Sequence, residues 1–289
     1  MRREYHIPKV FSSTEALCAS PEVDAVFVAT PNNCHARDVI AAVNCGKPVL
    51  VEKPMGMNAA ECRQMVDAAA ARGVLLGVAH IFRFAESVQR IRERVAAGDV
   101  GRVIFARAEF CYPVANHPRR WIHDAAIAGG GPVADVGVHC VDTLRFILGD
   151  QVASVFAAGY SDNASGTVEA SAMLSLKFCH SALATVLVSA RAQYRTPLEL
   201  VGETGVLRAD NALSIEQPVT IELWRSGEVQ TQQASNTLAY SRQVDAFAAA
   251  VEGRSPFPAS GEEGRRNQLV LDAAYRSMKT GSTEDVTTG

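Results

Sequence analysis

No stretch of the sequence approaches the ~20 uninterrupted apolar residues that a bilayer-crossing helix needs, and Met1-Arg2-Arg3-Glu4-Tyr5-His6 carries no apolar signal-peptide segment. A cytoplasmic protein without membrane contact is therefore expected. Blocks of one charge are missing too. The 28 Lys and Arg oppose 31 Asp and Glu for a formal net charge of -3, nothing stands out that could neutralise a row of phosphates, and nucleic acid is not an expected partner. Cys-x-x-Cys is absent among seven scattered cysteines, Cys18, Cys34, Cys45, Cys62, Cys111, Cys140 and Cys179, which argues against a zinc site or redox couple. No internal repeat and no low-complexity segment occurs. What remains is an ordinary globular composition, 48% apolar and 20% charged over 289 residues, enough for two cores.

The first hundred residues alternate short β-branched runs with helical patterns. Residues 23–30 read as a buried parallel strand ended by Pro31-Asn32-Asn33, residues 35–45 as a helix, and residues 48–51 as a second strand ended by Glu52-Lys53-Pro54. Asn58, with Glu61 three places on, looks like the N-cap of an Ala-rich helix that Gly73 stops, and residues 74–81 read as a third strand. Strand, helix, strand, helix, strand implies right-handed crossovers and a parallel sheet. After residue 101 the texture changes. Residues 103–112, 152–160, 171–178, 181–190, 198–201, 206–209 and 219–224 are strand-like, and several are separated by turns too short for a crossover helix, so a mainly antiparallel sheet follows. Helical patterns cover residues 132–148, 239–252 and 262–279.

The strongest local signal is Gly129-Gly130-Gly131-Pro132 followed by Asp135, His139 and Asp142 at spacings of four and three. Pro132 suits a first helical turn, and the spacing puts two carboxylates and an imidazole on adjacent turns, to act on one substrate or to fix the imidazole's tautomer. A polar face meeting solvent would give the same pattern, but the triple glycine, which permits close backbone approach at a helix start, favours function. Lys53 stands at the carboxyl end of a parallel strand, where ligands of open α/β sheets bind. The neighbouring strands end in Thr30-Pro31-Asn32-Asn33-Cys34-His35 and His80-Ile81-Phe82-Arg83, so three strand ends offer polar groups to one crevice.

These motifs in this order, with Asp24 to Asn32, His35, Glu52-Lys53-Pro54, the Asp135/His139/Asp142 helix and the ending Ala273-Ala274-Tyr275-Arg276-Ser277, resemble the Gfo/Idh/MocA oxidoreductases, NAD(P)-dependent sugar and cyclitol dehydrogenases. The resemblance runs from about residue 5 to residue 286. It implies an α/β fold in which an N-terminally truncated Rossmann-type parallel sheet, residues 1–100, precedes an α+β domain with a large, mainly antiparallel open sheet, residues 101–289, whose last helices return to the first domain. NAD or NADP would be the cofactor, held by Thr30, Pro31, Asn32, His35, Glu52, Lys53 and Arg83. A polyhydroxylated small molecule would be the substrate, met by Lys53, Trp121, Asp135 and His139, and the open sheet would form a homo-oligomer. The resemblance makes Lys53, Asp135 and His139 catalytic and the Lys53–Pro54 bond cis. An imidazole with an ordinary pKa near ~6.5 suits removal of the hydroxyl proton, Lys53 would stabilise the alkoxide, and Asp135 would orient the substrate hydroxyl or the imidazole.

One departure stands out. No Gly-x-Gly occurs in the first hundred residues, so a βαβ unit with its pyrophosphate-binding turn is expected to be missing, with Met1 either an internal methionine of a longer enzyme, the favoured reading, or the start of a true truncation that binds cofactor poorly or not at all. A surviving strand near residues 9–11 would then not reach its former neighbours, and the strand at 23–30 would lie at an open edge. Rival readings are a non-catalytic binding or oligomerisation protein, a redox-neutral member that uses NAD to cleave glycosides, and a metal site of His117, His123, Asp124, Asp135, His139 and Asp142. Trp121 could stack on a sugar or pack between domains, Arg83 could meet a ligand or pair with an acid, and Arg119-Arg120 could bind an anion or stay solvated.

Overall fold

The computed structural model describes residues 5, 7–114, 119–162, 164–180 and 182–286. His117 of the rival metal set lies outside them. Three short strands, β1 (Val26–Val28), β2 (Val49–Val51) and β3 (Leu76–Val78), form a parallel sheet in the order β1-β2-β3. Around them run α1 (Thr14–Cys18), α2 (His35–Asn44), α3 (Ala59–Arg72) and α4 (Glu86–Ala96). Val39, Ala42 and Val43 of α2 and Cys62, Met65 and Ala69 of α3 pack with Val26, Val28, Val49, Val51 and Val78 into one core, as the apolar spacing requires. Asn58 caps α3, its side chain accepting from Glu61 N at 2.9 Å, and Gly73 ends it at φ 62°.

The expected strand near residues 9–11 does not form. A ladder needs a neighbour, and among the described residues β1 pairs with β2 alone, so residues 7–10 lie exposed and Phe27 stands 55% exposed on an edge strand. The open edge expected for residues 23–30 is thus present.

The second sheet holds β4 (Val103–Cys111), β5 (Val152–Tyr160), β6 (Ser171–Phe178), β7 (Leu183–Ser189), β8 (Leu198–Gly202), β9 (Val206–Ala209), β10 (Val219–Arg225), β11 (Glu228–Ala234) and β12 (Glu284–Asp285). Its order is β11-β10-β9-β8-β4-β7-β6-β5-β12, and only the β4/β7 pair is parallel. Helices α5 (Ala125–Ala128), α6 (Val138–Leu148), α7 (Ala239–Val251) and α8 (Gly261–Thr280) complete the chain. The inner face, with Ala108, Leu174, Val186, Leu198, Leu207 and Ile221, joins α6 and α8 in the largest core. On the outer face Leu183, Phe105, Val201, Val206, Trp224 and Val229 sit in register across six strands, and Arg107, Glu199, Arg208 and Glu222 form the next row. Alternate charges side by side and an apolar row beside them suit a face that meets another surface.

Candidate active site

At the carboxyl end of β2 the chain turns through Glu52, Lys53 and a cis Lys53–Pro54 bond, as expected. The turn is braced from α2. His35 is fully buried, with Nδ1 3.0 Å from Pro54 O and Nε2 2.9 Å from Thr30 O, so one ring spans two strand ends. Burial pushes its pKa down, although the two carbonyls favour a charged ring, and a neutral ring donates to only one of them. Thr30 Oγ1 donates to Asp38 Oδ2 at 3.0 Å, and Asn32, after Pro31, donates from Nδ2 to Ala128 O at 2.8 Å. Half-buried Glu52 accepts from Lys53 N at 3.2 Å. Thr30, Asn32 and His35 therefore hold the strand-end turns in place.

The triple glycine has a packing reason. A Cβ on Gly130 would stand 1.7 Å from Tyr275 Oη, and one on Gly131 would stand 2.2 Å from Glu169 O. The close backbone approach that the glycines permit is made by these two residues. Glu169 is buried and works as a cap. Its Oε2 accepts from Gly131 N at 3.0 Å, and its Oε1 accepts from Val133 N at 2.9 Å and from Tyr275 Oη at 3.1 Å. Burial raises its pKa against the pull of these donors. From there the chain makes one turn of π-helix, Val133–Gly137, before α6 begins, a distortion often found at functional sites.

That turn carries Asp135 to Lys53, 82 residues away in sequence. Lys53 Nζ donates to Asp135 O at 2.6 Å and to Asp135 Oδ1 at 3.0 Å, with both side chains about 15% exposed. Tyr112, just after β4, donates its hydroxyl to Asp135 Oδ2, and Arg119 Nη2 lies 3.8 Å from Oδ1. Burial opposes the charge on Asp135, but Lys53, Arg119 and the Tyr112 hydrogen bond outweigh it and hold the carboxyl well below its usual range. Burial, with the carboxylate beside it, pushes the Tyr112 phenol up.

His139 follows on α6, 8% exposed, its ring stacked on Phe110 at 5.9 Å and met edge-on by Phe82 at 5.0 Å. Burial, then the Lys53 cation and His80, lower its pKa well below the ordinary value, so the ring is neutral and a weaker base than the ordinary imidazole expected from the sequence. It faces a cavity of about 620 Å³ that Phe82, Phe110, Tyr194, Tyr240 and residues 213–217 also line.

Asp142 does not share this site, contrary to its reading as a third member of one polar face. It is 1% exposed and turned the other way, accepting from Arg83 Nε at 3.0 Å, Arg83 Nη2 at 2.7 Å and Asn267 Nδ2 at 2.7 Å. Arg83 also donates to Glu263 Oε2 at 2.8 Å and Pro258 O at 2.6 Å, so of its two expected roles the structure shows the ion pair. Arg145 extends the network to Glu263 and Asn267. At its edge, fully buried His80 accepts at Nε2 from Asn267 Nδ2 at 2.9 Å, which places its proton on Nδ1, 3.8 Å from Asp142 Oδ2. Trp121 packs beside Val114, Ile122 and Ala190 with the Arg119 guanidinium 5.8 Å from its ring. Among the described residues no three His, Cys, Asp or Glu side chains are grouped to hold a metal ion. Sequence reasoning missed Tyr112, Glu169 and the aromatic walls, which carry no local motif.

Residues 1–80 match the model of the oxidoreductase family with an NAD-binding Rossmann fold, and residues 88–208 match the GFO/IDH/MocA C-terminal domain. The 1,5-anhydro-D-fructose reductase of Ensifer adhaerens is 33% identical over 289 residues, 99% of this chain and 86% of that protein. The chain belongs to the Gfo/Idh/MocA family. An aldose-aldose oxidoreductase from Caulobacter crescentus, solved with glycerol, superposes with a TM-score of 0.90 at 25% identity, covering 98% of this chain and 87% of that one. Levoglucosan dehydrogenase, solved with NADH and levoglucosan, shares the fold with a TM-score of 0.87 at 22% identity, covering 99% and 86%. As a Gfo/Idh/MocA protein this chain is a nicotinamide-dependent oxidoreductase. The residues present fit the reactive end of such a cofactor, since the Lys53 ammonium lies near enough to depress the His139 pKa and His139 opens on the cavity. Residues 7–100 contain no Gly-x-Gly turn for a pyrophosphate.

Proposed function

We propose that the chain transfers a hydride between NAD or NADP and a secondary alcohol of a sugar or cyclitol, with Lys53, Asp135 and His139 as its catalytic residues, residues 1–100 as the dinucleotide part and residues 101–289 as the substrate part. One observation carries this reading: the Lys53–Asp135 bond joins the end of β2 to the turn that leads into His139. The bound nicotinamide supplies the hydride chemistry. Lys53, with two of its three ammonium hydrogens on Asp135, has one for the reacting oxygen, where it stabilises the charge that builds as the hydroxyl proton leaves. Neutral His139, steadied between Phe110 and Phe82, takes that proton. Asp135 acts on the lysine, since no bond joins it to the imidazole among the described residues. The 1,5-anhydro-D-fructose reductase and the aldose-aldose oxidoreductase support a polyhydroxylated substrate for this chain.

Homo-oligomerisation through the open sheet belongs to the same reading and is supported by the apolar row of Phe105, Leu183 and Trp224, each about half exposed. Cytoplasmic placement is supported by seven free cysteines, of which Cys45 and Cys179 are exposed. No helix among the described residues is long and apolar enough to cross a membrane. The test is nicotinamide absorbance over a panel of sugars and cyclitols with each cofactor. Lys53→Met and His139→Asn should lower kcat at least about a hundredfold while the proteins stay folded. Wild-type turnover in both folded variants would remove the mechanism.

A further inference from the structure

An ammonium group turns about its Cε–Nζ bond unless at least two of its three hydrogens are held. At Lys53 a single residue holds two of them, through Asp135 O at 2.6 Å and Asp135 Oδ1 at 3.0 Å, and the direction of the third is thereby set. The hold is only as firm as the carboxylate, which has its own side-chain rotation. Its far oxygen, Oδ2, is where Tyr112 donates. The phenol comes from the end of β4, the carboxylate from the π turn and the lysine from the end of β2, so three elements meet in one line of hydrogen bonds.

We propose that Tyr112 is a positioning residue which acts on the reacting centre through Asp135, pinning the carboxylate so that the third ammonium hydrogen of Lys53 points at the substrate oxygen. The inference rests on the hydride-transfer reading of this site. The polarity of the chain follows from its charges. Asp135 is ionised between Lys53 and Arg119, so it accepts on both oxygens, and the one proton of Tyr112 is committed to it. Tyr112 therefore gives no proton to the substrate, and its effect on the reaction passes through the lysine. Arg119, at 3.8 Å and 45% exposed, adds charge to the same carboxylate with less directional hold.

Tyr112→Phe removes one oxygen and keeps the ring that meets Phe110 edge-on at 6.4 Å. Because a hydrogen bond to a charged group is lost, kcat should fall about tenfold to a hundredfold, with KM for the cofactor within about twofold of wild type. The same substitution in a Lys53→Met background should change the residual rate by less than about twofold, since the residue through which it acts is gone. Undiminished kcat in folded Tyr112→Phe, or an equal loss in both backgrounds, would overturn the inference. A crystal structure of Tyr112→Phe decides it without turnover: Asp135 should turn away from Lys53 Nζ, and retention of both contacts would refute the pinning. A wild-type protein that oxidises or reduces no polyol with either cofactor would count against the proposed function, and the crystal structure would still judge Tyr112.

Discussion

Acid should unfold this protein partly through one histidine. His80 is fully buried beside Asp142 and Asn267, and burial, reinforced by the nearby Arg83 and Arg145 cations and only partly offset by Asp142, lowers its pKa to about 4 from an ordinary 6.5. The folded protein then binds fewer protons here than the unfolded chain between those values, so the contribution of His80 is full above pH ~6.5 and is lost as pH falls towards 4. At about 1.4 kcal/mol per pKa unit, the stability lost between pH 7 and pH 5 on this account is about 2 kcal/mol. The assay is equilibrium urea unfolding of the wild type and His80→Gln at both pH values. The variant should be less stable at pH 7, since an amide replaces the buried imidazole's packing imperfectly, yet should lose about 2 kcal/mol less than the wild type on acidification. Equal losses in the two proteins would show that His80 does not titrate in this window and that its buried, neutral state has been misjudged.

Gly130→Ala should destabilise by about 1–3 kcal/mol or more in urea unfolding, because its methyl group would sit 1.7 Å from the buried Tyr275 hydroxyl; an unchanged midpoint would disprove the packing account of the glycine turn. Arg83→Met should cost about 3–5 kcal/mol by leaving Asp142 buried without its cation, and adding Asp142→Asn should recover part of it. Leu183→Lys, on the outer sheet face, should lower the mass seen by sedimentation velocity, whereas a mass equal to wild type would move the interface elsewhere.

Much of this was legible in the sequence because it was local. Alternation in residues 171–178 and 219–224 marks β6 and β10, and Asn58 with Gly73 marks the two ends of α3. Lys53 and the Asp135/His139 pair were readable from a strand end, from helical spacing and from family resemblance. The misses arise where distant segments decide. Asp142 lies three residues after His139, which on an even helix means a neighbouring face, but Arg83, 59 residues upstream, claims it in the opposite direction. Glu169, which caps Gly131 from 38 residues downstream, has no spacing to betray it. β11, Glu228–Ala234, is polar and mostly exposed on an edge, so no burial imposes an alternation on it. α4 is charge-rich around Val88 and Ile91, and its short apolar stripe was passed over.

The reach of α8 has a consequence for synthesis. Val78 N donates to Ala259 O at 2.8 Å, Arg83 donates to Pro258 O, and Glu263 and Asn267 complete the buried ion network that grips α6. A ribosome makes β1, β2 and β3 first, yet the residues that close over them come some 180 positions later. Until those residues emerge, the edge of β3 that residues 259–260 cover is bare and the ion network that grips α6 is incomplete. Chaperone dependence should therefore persist until α8 is made, and a ribosome stalled before residue 258 should display a chain whose Lys53-bearing unit is open to protease.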